Sequence, residues 1–218
     1  MLARRILAAS ARAVAPWWLA GGAPMPVAAY QPIGAASLAD SYVNLVNPGT
    51  YDAAPGAAPT WDAANGWIFN GSTQFLIGAP LNNSFVVLTR FSNRTNNNGL
   101  WSSAGAGGGT RAYILFGAAN VQYRLNTTSI ISPTATSGVL GISSSGAGGT
   151  AWRNGVSDGA IGATFFAVGD TSIGAHAFFD VAAPDGYGAH YTQAHVIYPV
   201  DTNVATWIPA VSAAMAAL

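Results

Sequence analysis

General acid–base chemistry in this chain falls to eight Asp and three His, because the sequence contains no Glu, no Lys and no Cys. Retaining glycoside hydrolysis needs two carboxyl groups about 5 Å apart with pKa values driven in opposite directions. No Asp-x-Asp or Asp-x-x-Asp pair occurs, and the nearest couple, Asp180 and Asp185, is separated by Pro184. His190 and His195 stand five residues apart, a spacing that sends them to opposite faces of a regular strand, and His176 has no companion nearby in sequence. Neither H-E-x-x-H nor G-x-S-x-G is present. The glycine-rich run 104–110 lacks the following Lys and helix of a phosphate loop and reads as a hairpin tip. On these residues the protein is expected not to be an enzyme.

The elements that would position such residues are strands. Residues 84–91 alternate Phe85, Val87, Thr89 and Phe91 against Val86, Leu88 and Arg90. Both faces are therefore largely apolar, as in a central strand of a layered β protein. Asn70-Gly71, between apolar runs at 67–69 and 74–77, predicts a tight hairpin, and so does Asn154-Gly155. Val121, Tyr123 and Leu125 alternate with Asn120, Gln122 and Arg124, the pattern of a half-buried antiparallel strand. Further strands are expected at 42–46, 100–103, 111–116, 138–143, 165–168, 172–174, 178–182 and 191–198. Many short strands between Gly-rich turns predict an all-β antiparallel jelly-roll sandwich. Asp201 or Thr202 could cap a terminal helix with Val204, Trp207, Val211 and Met215 on one face, and Pro209 is expected to kink it. The expected organisation is an N-terminal arm at 1–27, a sandwich at 28–200 and a C-terminal helix at 201–218.

Only 7% of the 218 residues are charged, and the formal net charge is zero, against roughly a quarter charged in an average protein. Either Ser, Thr, Asn and Gly keep the surface solvated, or much of it is covered by other subunits; the second is the favoured expectation. GC-rich coding would give the same composition with no physical meaning. Eight scattered Arg argue against a nucleic-acid surface on charge grounds, no apolar run reaches the length of a membrane span, and without Cys there is no disulfide framework. The first residues place Arg4, Arg5 and Arg12 among Ala, Leu and Ile, ahead of Trp17 and Trp18 and a Gly-Gly break. This reads as a cationic amphipathic arm fastening the chain to a neighbour. A signal peptide is the rival reading, opposed by Arg12 within its apolar region and by Pro16.

The order of these features resembles the laminin G-like, concanavalin A-like lectin/glucanase fold. The resemblance runs over residues 65–210. It is carried by Phe69-Asn70-Gly71, Trp152-Arg153-Asn154-Gly155, Ile173-Gly174, the strand Ala194-His195-Val196-Ile197-Tyr198, and the helix from Asn203. Residues 17–62 resemble the leading segment of laminin G-like proteins of phage and prophage genes. That likeness implies a virion component (head decoration, fibre or tail) with itself and other virion proteins as partners. The alternative it implies is a lectin-like module, secreted or at a cell surface, that binds host glycans. Glycanases of this fold use paired glutamates, which are absent here. For a glycan, aromatic rings at loop tips are the natural platform, and Trp101, Trp152 and Tyr187 are the candidates. No cofactor is expected. Lectin-like relatives often hold calcium through oxygen ligands, but Asp158, Asp170, Asp180 and Asp185, all expected in or beside loops, do not single out a ligand set.

Overall fold

The strand predicted over residues 84–91 is observed as Ser84–Ser92, at the centre of an eight-stranded antiparallel sheet. A computed structural model describes residues 15–104, 111–162, 169–177, 182–199 and 202–218. In chain order the strands are β1 (Ala28–Tyr30), β2 (Ala54–Ala57), β3 (Thr60–Asp62), β4 (Gly66–Ile68), β5 (Phe75–Leu81), β6 (Ser84–Ser92), β7 (Gly99–Ala104), β8 (Arg111–Phe116) and β9 (Asn120–Leu125). They continue with β10 (Thr128–Pro133), β11 (Gly138–Ser145), β12 (Gly149–Arg153), β13 (Val156–Ile161), β14 (Gly169–Ile173), β15 (Ala175–His176), β16 (Gly186–Tyr187) and β17 (Tyr191–Tyr198). A short helix α1 (Leu38–Ser41) precedes β2, and α2 (Val204–Ala216) follows β17. Among the described residues one sheet runs β13-β12-β11-β6-β17-β4-β3 with β1 also on β17; the other runs β10-β9-β8-β7-β14-β5-β2. A two-stranded ribbon, β15-β16, completes the set. The protein is an all-β antiparallel sandwich.

The two apolar faces of β6 serve two different cores. Phe85, Val87 and Phe91 enter the space between the sheets with Leu100, Ile114, Phe116 and Tyr123. Val86 and Leu88 face the other way, with Val196, Tyr198 and Trp152, against Trp207, Ile208, Val211 and Met215 of α2. Trp17 and Trp18, on a 3₁₀ segment Trp17–Gly22, pack on this second core, and Tyr198 donates to the Trp18 carbonyl at 2.7 Å. The outer face of the large sheet is thus covered by the chain's own two ends. Trp17 and Trp18, expected to belong to an assembly arm, pack on the chain's own second core; Arg4, Arg5 and Arg12 lie outside the described residues.

The second Asn-Gly pair makes the predicted hairpin between β12 and β13. Asn154 and Gly155 have φ of 51° and 81°, as a type I′ turn requires. A Cβ at Gly155 would stand 2.7 Å from Pro209 Cα, so glycine also lets this turn tuck under α2. The first pair makes no hairpin. β4 and β5 belong to different sheets, and the Asn70 Oδ1 accepts from the amides of Ser72, Thr73 and Gln74, turning the chain across the sandwich. Residues 42–46 form no strand. They follow α1 as turns around buried Asn44, whose side chain donates to the carbonyls of Val27 and Thr50 and accepts from the amides of Ala29 and Val46. That amide group satisfies polar backbone at the free edge of β1. α2 runs continuously through Pro209, and its N-cap is Asn203, without a side-chain cap. The expected strands at 165–168 and, for the most part, 178–182 lie outside the described residues.

His190 and His195 do not face opposite sides. Thr192 pairs with Phe91 but Ala194 pairs with Arg90, so Gln193 is an extra, bulged residue that resets the alternation. Both imidazoles therefore point between the sheets: His190 packs on Phe69 and Phe116, and His195 stacks on Tyr30 while its Nδ1 meets Thr89 Oγ1 at 2.8 Å. Burial drives both pKa values down to about 3. The unfolded chain, titrating near 6.5, then binds two protons that the folded chain refuses. Stability contributed by these two residues is full above about pH 6.5 and falls toward pH 3, by about 2.7 kcal/mol per pH unit in the middle of the window. Urea unfolding at several pH values should show this slope roughly halved in His190→Phe. Trp207→Ala should cost about 3–5 kcal/mol in the same assay at pH 7.

Candidate functional site

The outer face of the seven-stranded sheet is polar where that of its partner is apolar. In β8 and β9 the residues Ala112, Ile114, Phe116, Val121, Tyr123 and Leu125 fill the inter-sheet core. Strand alternation therefore turns Arg111, Tyr113, Gln122 and Arg124 outward. Register places Ser129, Arg124, Tyr113, Ser102 and Ser172 in one row across five strands. The ribbon β15-β16 lies over this row: Ser102 Oγ donates to the Ala175 carbonyl at 3.3 Å and accepts from the Ala177 amide at 2.9 Å. The ribbon brings His176 edge-on to Tyr113, with ring centroids 4.5 Å apart. It also sets Asp185 Oδ1 3.3 Å from His176 Nδ1.

The cluster is held by interlocking contacts. Arg124 donates to the Asn126 carbonyl at 2.7 Å and to Tyr113 Oη at 3.2 Å, with its guanidinium 5.7 Å from the Tyr113 ring centre. Arg111 is depressed from the usual guanidinium range by burial and by the like charge of Arg124, with Asp185 and Tyr113 acting in the opposite direction. Burial lowers the His176 pKa, Asp185 opposes that shift, and the two arginines reinforce it. At neutral pH the imidazole is therefore mainly uncharged, donating from Nδ1 to Asp185 and keeping its lone pair on Nε2. Chemically, this face offers guanidinium, amide and hydroxyl groups for hydrogen bonding, and one oriented imidazole–carboxylate pair for proton transfer.

Sequence reasoning found this site only in part. Tyr187 lies on the ribbon, half-buried, its ring 6.2 Å from that of Phe75. Trp101 is completely buried between the sheets, and Trp152 is 5% exposed beneath α2 with its Nε1 donating to Ser143 Oγ. Neither tryptophan is a loop-tip platform, because each lies on a strand whose both faces are covered. His176, expected to stand alone, has Asp185 as its companion. Asp158 lies on β13, where it accepts from Arg153 and Tyr123, each at 2.9 Å; Asp180 is outside the described residues. Arg124 and Gln122 were legible as the polar half of an alternating strand, whereas the distant pairing of His176 with Asp185 left no sequence signal.

No family model matches the chain, and no curated protein matches it. Solved structures do. A Trypanosoma rangeli sialidase in complex with sialic acid has a TM-score of 0.63 at 14% identity, over 90% of this chain and 34% of the sialidase. Domain 4 of AbnA, a GH43 extracellular arabinanase from Geobacillus stearothermophilus, in complex with arabinotriose, has a TM-score of 0.54 at 12% identity over 86% of this chain and 98% of that domain. The Crh5 transglycosylase in complex with NAG has a TM-score of 0.54 at 8% identity, over 81% and 86%. The fold is a concanavalin A-like sandwich. This chain spans about a third of the sialidase it resembles, and at such identities the likeness is one of fold. It corrects the expectation of a protein that is not an enzyme: a sialidase and a transglycosylase are among the similar structures, so the fold is compatible with a glycan-active protein. These likenesses show no phage link.

The geometry makes a local prediction. Asp185→Asn removes the carboxylate that opposes the burial shift, so an NMR titration should place the His176 pKa lower in the variant than in the wild type. An unchanged or higher value would mean that the pair does not interact in solution.

Proposed function

We propose that this chain recognises carbohydrate through the outer face of its seven-stranded sheet. The observation that carries the reading is the contrast between the sandwich's two outer faces. One is apolar and sealed by α2 and Trp17–Gly22; the other presents Arg111, Gln122 and Arg124, with Arg124 in register with Ser129, and the ribbon laid over that sheet carries the half-buried ring of Tyr187. Saccharide hydroxyls both give and accept hydrogen bonds, so planar guanidinium and amide groups suit them, and an aromatic ring suits the apolar face of a sugar. The likeness in fold to the arabinanase domain, over nearly its whole length, supports the same reading. Such a protein would work where polysaccharide is met, at a cell surface or in the medium. Among the described residues no helix is long and apolar enough to cross a membrane. The fold likenesses support this reading rather than a virion role, and Trp17 and Trp18 pack on the chain's own core.

A glycan array followed by calorimetry on the best ligand tests this. Saturable binding is expected, weakened tenfold or more in Arg124→Ala and in Tyr187→Ala, each with an unfolding midpoint near the wild-type value. Absence of binding to any glycan, or binding that neither variant weakens, would overturn it.

A further inference from the structure

On the opposite side of the sandwich from Arg124, beyond the C-terminal end of α2, lies a cavity of about 310 Å³ lined by Arg90, Ser92, Ser137, Val139, Gln193 and Ala216. Its making is a consequence of the β17 bulge. With Thr192 paired to Phe91 and Ala194 to Arg90, Gln193 is the residue left over from the ladder. Its side chain joins the cavity wall. Gln193 is only 9% exposed, and its carboxamide offers both a donor and an acceptor. Arg90 is half-buried and spends one nitrogen, Nη1, on the Met215 carbonyl at 2.9 Å. That leaves the rest of its planar donor fork uncommitted among the described residues. Ser92 and Ser137 add hydroxyls, while Val139 and Ala216 supply apolar surface.

We infer that this cavity is a binding site for one neutral sugar unit, separate from the face of the seven-stranded sheet. The volume falls at the small end of the ~300–1,000 Å³ found for small-molecule sites. The donor and acceptor balance decides the ligand's charge. An anion uses donors alone and would face the Gln193 carbonyl oxygen unpaired. A pair of vicinal hydroxyls uses both the donors of Arg90 and the donor–acceptor amide of Gln193. The carbonyl end of α2, which carries negative partial charge, sits at the rim and offsets the Arg90 cation, again disfavouring an anion. Val139 and Ala216 are suited to the apolar face of the ring.

The test uses the full chain labelled with ¹⁵N, titrated separately with glucose, galactose, arabinose and N-acetylglucosamine, and in parallel with acetate and glucuronate. At least one neutral sugar should shift the Gln193 side-chain amide and Arg90 Nε resonances saturably. Ala216→Phe, at an exposed helix-end position, should fill the cavity and weaken that binding tenfold or more without lowering the thermal midpoint. Gln193→Ala should weaken it similarly. Shifts with none of the neutral sugars, shifts with the two acids only, or full affinity in both variants would overturn the inference. Because Arg124→Ala leaves this cavity intact, failure here and failure of the sheet-face reading are distinguishable.

Discussion

A strand that is apolar on both faces must be covered twice. β6 imposes that demand on the molecule, and β17, paired along it, shares the demand through Val196 and Tyr198 on one face and Ile197 on the other. The second sheet meets half of it. The remaining half is met by α2, laid across the strands with Trp207, Ile208, Val211 and Met215 inward, and by the Trp17–Gly22 segment packed beside it. Burial of such side chains contributes roughly 1.5–3 kcal/mol each. A chain poor in charge thus obtains from its own Trp17–Gly22 segment and α2 cover that its composition would sooner assign to a neighbour.

The consequence for function is an asymmetry. Once the large sheet is closed on its outer side, hydrogen-bonding side chains are concentrated on the outer side of the seven-stranded sheet and at the margin where α2 ends. The ribbon β15-β16 adds His176, Asp185 and Tyr187 to strands that already display Arg111, Tyr113, Gln122 and Arg124. The same bulge that turns His195 inward also leaves Gln193 beside the end of α2, so a single inserted residue shapes both the buried core and the cavity at its rim.

What the sequence made legible is what local periodicity encodes. The two-faced octet, the alternating β9 strand, the Asn154-Gly155 turn and the inward stripe of α2 are all found as the pattern of residue types predicts. The failures share a different cause. Asn70-Gly71 has the composition of a hairpin turn, but its flanking strands join different sheets, a tertiary fact that no short window contains. Trp101 and Trp152 are expected as a platform at loop tips, but each lies on a strand covered on both faces, Trp101 between the sheets and Trp152 beneath α2. The bulge at Gln193 carries no mark in sequence, so simple alternation sends His190 and His195 to opposite faces although both point inward. The pairing of His176 with Asp185, and of both with Arg111 and Arg124, arises only when the ribbon folds over the sheet.

The central claim is that the large sheet is closed by its own chain. Native-state hydrogen exchange of the backbone amides of β6 and β17, followed over a hundredfold range of protein concentration, tests it most directly. The account predicts protection equal to the global unfolding free energy and independent of concentration. Protection that rises with concentration, or that is lost on dilution while the rest of the sandwich stays folded, would contradict it by showing that other molecules supply the cover.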